Sequence, residues 1–182
     1  TLIGLFAVAE VIAGVERIIR GEEKQESSHE KITNVLPDWQ TIKAIWPNIL
    51  SGGIIGTFIG AIPGAGGDIA VFVSYGFNKS LSKHPELWGM GIPNGVASTE
   101  SANNGCSGGA MIPLLSLGVP GDSVTAILLG AFIMKGIQPG PMMYISELPT
   151  VYKVFAALML ANLAMLVVGC LGVRFFAKIV SV

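Results

Sequence analysis

Long stretches without a charged side chain alternate along this chain with short polar breaks. Residues 44–61, 101–117 and 154–173 carry no Asp, Glu, Lys or Arg. Residues 21–38, by contrast, hold Glu22, Glu23, Lys24, Glu26, His29, Glu30 and Lys31. At 1.5 Å per residue the first stretch covers about 27 Å as a helix, close to the hydrocarbon thickness of a bilayer. The last is a plain apolar span closed by Arg174 and Lys178. The pattern predicts an all-α membrane protein, a multi-pass helix bundle whose helices are broken by Gly and Pro.

Two of the apolar stretches run into a Pro-Gly break followed by an aspartate. The first reads Ile62-Pro63-Gly64-Ala65-Gly66-Gly67-Asp68 and the second Val119-Pro120-Gly121-Asp122-Ser123. A lipid-facing helix cannot stop at such a break, because each freed N–H or C=O would go unpaired at a cost of several kcal/mol. Broken helices are tolerated at membrane depth only where protein buries them or a polar cavity runs beside them, and they point to a transporter's binding site. Each break is followed by mostly apolar residues and then a lysine, Lys79 or Lys135, a faint internal repeat.

Four segments are expected. Residues 1–20 form the end of a transmembrane helix, uncharged at first and then carrying Glu10, Glu16, Arg17 and Arg20. Residues 21–40 form a polar linker, whose basic residues favour the cytoplasmic side. Residues 41–145 make a broken-helix core, and residues 146–182 a C-terminal transmembrane helix. Because the chain opens on Thr1 within an apolar run, it is expected to be a piece of a longer membrane protein.

Within the core, Asp38 is placed to cap the next helix, with Trp39 and Trp46 at the headgroup level. Gly52, Gly56 and Gly60 recur every four residues, a stripe that lets another helix approach closely. If Lys79 and Lys83 obey the positive-inside bias, residues 44–79 fold as a re-entrant hairpin with its tip at the first break.

Composition narrows the function. Of 182 residues, 51% are hydrophobic and 13% charged, against about 25% charged in an ordinary soluble domain. A net charge of −1 provides no basic field for nucleic acid. With only His29 and His84 there is neither a metal cluster nor a Ser/His nucleophile, and Cys106 and Cys170 lack redox or metal spacing. The residues 64–67 lack the spacing of a dinucleotide or phosphate loop, so an ion gradient has to supply the energy of any transport.

The candidate chemistry gathers at the breaks. Unwound carbonyls around Pro63 and Gly118 are hard oxygen ligands for a small cation, and Asp68 and Asp122 are either N-caps, cation ligands, or both. Glu100 is costly in an apolar helix. It is a cation ligand, a proton carrier or an orienter of its neighbours, unless it is simply an acid at a helix start near a membrane surface. Ser101, Asn103 and Asn104 offer donors and acceptors to a carboxylate, or glue between helices. The helix N-termini beyond Gly64, Gly66, Gly67, Gly121 and Ser123 suit an anion's carboxylate groups. The expected cation set is thus Pro63, Asp68, Glu100, Gly118 and Asp122. The two breaks are expected to meet near mid-membrane beside Glu100 and the asparagines. Two other classes stay open: a channel-like or structural membrane subunit, and an intramembrane aspartyl protease built on Asp68 and Asp122.

Several motifs together resemble the large membrane (permease) subunit of tripartite tricarboxylate transporters. They are Gly60-Ala61-Ile62-Pro63-Gly64-Ala65-Gly66-Gly67, Gly95-Val96-Ala97 through Glu100-Ser101-Ala102-Asn103-Asn104, Gly108-Gly109-Ala110-Met111-Ile112-Pro113-Leu114, Leu117-Gly118-Val119-Pro120-Gly121 and Gly136-Ile137-Gln138-Pro139-Gly140-Pro141. They follow one another without interruption across residues 46–144. The resemblance implies a multi-pass permease of the bacterial cytoplasmic membrane, not an enzyme. It implies cation-coupled uptake of citrate or related carboxylates, with Na⁺ or H⁺ as coupling ion and no other cofactor. It also implies two partners, a small membrane subunit and a periplasmic substrate-binding protein.

Overall fold

The computed structural model describes residues 36–180, with side chains through Val173, and six isolated residues between Val8 and Ile19. Contacts divide the chain into two units, Leu36–Gly169 and a second made of Thr1–Val35 with Cys170–Val182. In the second unit the described N-terminal residues are helical and exposed. The expected end of a transmembrane helix in residues 1–20 and the polar linker of residues 21–35 lie otherwise outside the described residues.

The Leu36–Gly169 unit is built from helices, with no strand among the described residues. The first, α1 (Trp39–Gly60), starts where Asp38 accepts from the Thr41 backbone N–H at 3.3 Å, the cap that its position predicts. The Thr41 hydroxyl also donates to this carboxylate and holds Asp38 below the usual carboxylate range. A turn over residues 61–65 leads into α2 (Gly66–Leu81). A short 3₁₀ turn, Pro85–Leu87, lies in the connection to α3 (Pro93–Leu117), one continuous helix despite Pro113. α3 ends at Gly118, whose φ of 71° closes it in a left-handed cap with N–H bonds from Gly118 to Leu114 and from Val119 to Pro113. The second break then opens α4 (Ser123–Met134), followed by the single turn α5 (Met143–Ser146) and the long α6 (Leu148–Val180).

The first three helices form one tight unit, with α1 and α2 as an antiparallel hairpin. The Asn48 and Ser51 side chains in the middle of α1 donate to Asn78 near the end of α2. α3 runs parallel to α1. A Cβ on Gly52 would meet the Ser98 carbonyl, one on Gly56 the Ala102 carbonyl at 2.0 Å, and one on Gly60 the Cys106 carbonyl at 2.4 Å. The stripe is answered from the other side, because a Cβ on Gly105 or Gly109 would strike the carbonyls of Gly53 or Thr57. Backbone packs on backbone here, as small residues permit within a membrane.

Burial is inverted relative to a water-soluble bundle. Gly52, Gly56, Gly60, Ser74, Asn78 and Ser98 are buried, while Phe58, Phe72, Ile127 and Met159 are more than 70% exposed. Such a surface suits hydrocarbon. Among the described residues, two helices are long and apolar enough to cross a membrane, Trp39–Gly60 and Leu148–Val173. A second cluster, Met111, Leu114, Leu115, Met143 and Val151, fastens the start of α6 to the end of α3.

The end of the unit away from the breaks is held by a polar network that the sequence reading did not single out. Asn78 accepts from Asn48 at 3.1 Å and from Ser51 at 2.6 Å, and donates to the Ser74 carbonyl at 2.9 Å and Ser98 Oγ at 3.0 Å. Ser74 and Ser98 hydroxyls meet at 2.9 Å, and Asn94 donates to Asn48 Oδ1 at 2.7 Å. Polar side chains inside a membrane bundle are tolerated when satisfied this fully.

Candidate functional site

Each break is a local necessity of its sequence. Pro63 and Pro120 lack an N–H to continue a helix. Gly64 and Gly66 take φ of 79° and 71°, the left-handed region that a side chain resists. At the second break Asp122 restarts the chain as α4. Its carboxylate accepts from Thr125 N at 2.7 Å and from Thr125 Oγ1 at 2.6 Å, while its own N–H donates back to Thr125 Oγ1 at 2.9 Å. This reciprocal pair is a capping box.

The two breaks meet. Gly64 N donates to the Gly121 carbonyl at 2.9 Å. Gly121 is buried, and a Cβ there would lie 2.7 Å from the Gly60 carbonyl and 2.9 Å from Ala110. Only glycine lets the second break settle onto the end of α1 and the middle of α3.

Beside this junction lies a cavity of about 540 Å³. It is lined by residues 64–68 of the first break, by Asn103, Cys106 and Ser107 of α3, and by Pro120, Asp122, Ser123 and Val124 of the second break. The start of α2 and the start of α4 both open into it. Gly67 leaves room for the Asn103 amide, whose Oδ1 would stand 2.9 Å from a Cβ at that position. Two carboxylates, side-chain oxygens and backbone line the cavity, and no lining residue is basic. Among the described residues no group of three or more His, Cys, Asp or Glu is placed to hold a metal ion. Chemically the cavity offers hard oxygen ligands and one negative charge from each aspartate.

The structure therefore brings together Gly64, Gly66, Gly67, Asp68, Asn103, Asp122 and Ser123, with Gly121 directly behind. Other expected residues stand elsewhere. Asn104 is the next residue along the α3 helix after Asn103, about 100° around its axis. With Ser101 it lines a second, mostly apolar groove of about 620 Å³ alongside Trp46, Phe58 and Asn162. Glu100 is exposed on α3 and lines neither cavity, Pro63 is exposed on the turn, and Gly118 caps α3 against the Pro139 carbonyl. One expectation is corrected: Asp68 is not an N-cap. Ala65 occupies that position without a side-chain bond, and Asp68 sits within the first turn of α2. The left-handed Gly66 starts the helix two residues earlier than the aspartate. His84 lies on the surface, 3.1 Å from Glu86.

Cys106 and Ser107 were missed as lining residues. Their signal was available in helical spacing, since residues 103 and 107 share a face.

Comparison with known proteins agrees along the whole chain. The model of the tripartite tricarboxylate transporter TctA family matches residues 1–182. An uncharacterised 52.8 kDa protein of the TAR-I ttuC' 3' region of Agrobacterium vitis is 34% identical over 180 residues, covering 99% of this chain and 35% of that protein. An uncharacterised protein of the TAR-II ttuC' 3' region of the same organism is 37% identical over 127 residues, 70% of this chain and 52% of its own length. The chain thus spans between a third and a half of these relatives. No solved structure matches it.

Proposed function

Since this chain belongs to the tripartite tricarboxylate transporter TctA family, a family of membrane transporter components and not of enzymes, we propose that the joined breaks form its transport site. The site takes up tricarboxylate or related carboxylate anions by secondary transport, driven by Na⁺ or H⁺. A periplasmic binding protein delivers the substrate, and a small membrane subunit completes the permease in the bacterial cytoplasmic membrane. The family membership sets aside an aspartyl protease on Asp68 and Asp122.

The observation that carries the reading is the Gly64–Gly121 hydrogen bond with the oxygen-lined cavity beside it. Two interrupted helices that join around a polar cavity are what a substrate and a coupling ion require inside a bilayer. Substrate carboxylates lie against the first turns of α2 and α4 and the Asn103 amide. The cation lies among Asp68, Asp122 and the break carbonyls. The hairpin α1–α2 enters the bilayer with its tip at the first break, and rocking of this unit against the remaining permease alternates access.

The test is uptake of radiolabelled citrate and a panel of di- and tricarboxylates by membrane vesicles containing all subunits. Uptake that needs an imposed Na⁺ or pH gradient and falls in Asn103→Ala vesicles with normal permease content supports the proposal. Wild-type vesicles that accumulate no carboxylate under either gradient overturn it.

A further inference from the structure

We propose that residues 82–92, the connection between α2 and α3, form a detachable strap whose anchor is the Trp88 indole. The inference does not depend on the cavity at the joined breaks. Trp88 is the one buried residue of the connection, 5% exposed, among the exposed Leu87, Gly89 and Met90. Its ring meets Tyr75 of α2 edge to face, with centroids 5.1 Å apart and planes at 78°. It also lies against the start of α3, where a Cβ on Gly95 would stand 3.8 Å from the indole and 3.5 Å from the Tyr75 ring. No hydrogen bond to either helix adds to this anchor. Within residues 83–91 the bonds stay inside the connection, from His84 N to Ser82 Oγ, Leu87 N to the His84 carbonyl, Trp88 N to the Pro85 carbonyl and Met90 N to the Leu87 carbonyl, with the His84 ring beside Glu86.

The anchor is incomplete. The buried indole N–H has no hydrogen-bond partner among the described residues, and an aromatic ring is at best a weak acceptor. Buried donors are nearly always paired, so an exception calls for a reason. An unpaired donor weakens docking about tenfold or more relative to a satisfied one. The geometry supplies the reason, which is reversibility. The large apolar area of the indole holds the strap down, while the N–H gains an acceptor only when the ring leaves. Lys83, His84 and Glu86 are exposed, which suits the connection to the water and headgroup layer where indoles prefer to lie. Gly89 and Gly91 flank Met90 with φ of 95° and 84°. Backbone at such glycines turns in either hand at little cost, so the indole swings out while α2 and α3 stay in place. Detachment uncovers Tyr75 and Gly95, next in sequence to Ser74 and Asn94 of the polar network, and gives water a way to that network.

The experiment uses the full-length permease in lipid nanodiscs, with a nitroxide on Met90→Cys as its only cysteine, read by electron paramagnetic resonance. Met90 is exposed, so the label has room. The spectrum is expected to hold two components, a restrained one from the docked strap and a mobile one from the detached strap. Trp88→Ala is expected to leave the mobile component alone. Replacing the Trp88 indole with benzothiophene, through β-(3-benzothienyl)alanine, keeps the ring shape and removes the N–H. It is expected to shift the ratio toward the restrained component about tenfold. A second reading is maleimide alkylation of Gly95→Cys, beneath the indole, in a permease freed of other cysteines. It is expected to run at least about tenfold faster with Trp88→Ala and slower with the benzothiophene. A spectrum that Trp88→Ala leaves unchanged would remove the anchor. A benzothiophene protein that detaches as often as the wild type, or more often, would show the N–H to be satisfied when docked and overturn the inference. A single restrained component in the wild type, with Gly95→Cys inert to maleimide, would remove the detached state.

Discussion

Gly56 of α1 and Ala102 of α3 are packed so closely that a methyl group added at Gly56 would lie 2.0 Å from the Ala102 carbonyl oxygen. The neighbouring Gly53, also on α1, has nothing within 4 Å of the same added atom. Gly56→Ala is therefore expected to destabilise the permease by about 1–3 kcal/mol or more through overpacking, with Gly53→Ala near neutral. Unfolding midpoints of the two purified variants check this, and equal midpoints would contradict the backbone-on-backbone packing.

Asn78 is the hub of the polar network, with Asn48, Ser51, Ser74 and Ser98 as partners. Asn78→Ala strands those partners and is expected to cost about 0.6–2 kcal/mol per broken interaction. A double-mutant cycle with Asn48→Ala measures the share carried by the Asn48–Asn78 bond. Strict additivity of the two losses would show that bond to be idle.

Asp122→Ala removes the cap of α4 and is expected to lower stability by about 0.5–2 kcal/mol, while Asp122→Ser retains most of it. Chemical denaturation of the two proteins distinguishes them. Indistinguishable midpoints would mean that the capping box contributes nothing to folding.

Asn103 and Asn104 are adjacent in sequence and are expected to behave differently. If the cavity at the joined breaks is the transport site as proposed, Asn103→Ala should raise the substrate concentration needed for half-maximal uptake, because its side chain borders that cavity. Asn104→Ala should instead alter stability or assembly, through the groove it shares with Trp46 and Asn162. Concentration-dependent uptake normalised to permease content, set beside detergent stability, separates the two effects.

Asp38 gives a pH signature at the start of α1. Hydrogen bonds from Thr41 hold its carboxyl below the ordinary value of 3.8. The cap is therefore intact above the ordinary carboxylate range and is lost as pH falls through the lowered value. Asp38→Asn is expected to flatten the acid limb of the stability profile without changing the neutral region. An acid limb unchanged by the substitution would remove the cap from the pH response.

Much of this architecture was legible in residue pattern. The breaks at Pro63-Gly64 and Pro120-Gly121, the caps at Asp38 and Asp122, and the small-residue stripe of Gly52, Gly56 and Gly60 all follow from elementary helix chemistry. The partner of that stripe was not legible, since Gly105 and Gly109 lie beside other small residues and only a helix axis tells which of them face α1. The same angular problem hid the separation of Asn103 from Asn104. Asp68 was misread as a cap because a left-handed Gly66 shifts the helix start, and φ at a glycine is set by tertiary context. The network around Asn78 had a visible sign, Ser74 and Asn78 four apart on an apolar helix, but its partners come from two other helices.

The glycine seam between α1 and α3 has a mechanical consequence. Carbonyls of one helix already press against the α-carbons of the other, so neither can slide or tilt without a collision that no side-chain rotation relieves. The pair behaves as a stiff spar. Any motion that carries cargo has to occur at the outer rim of this spar, along the short α4 and the loops that follow it, or against whatever surrounds it.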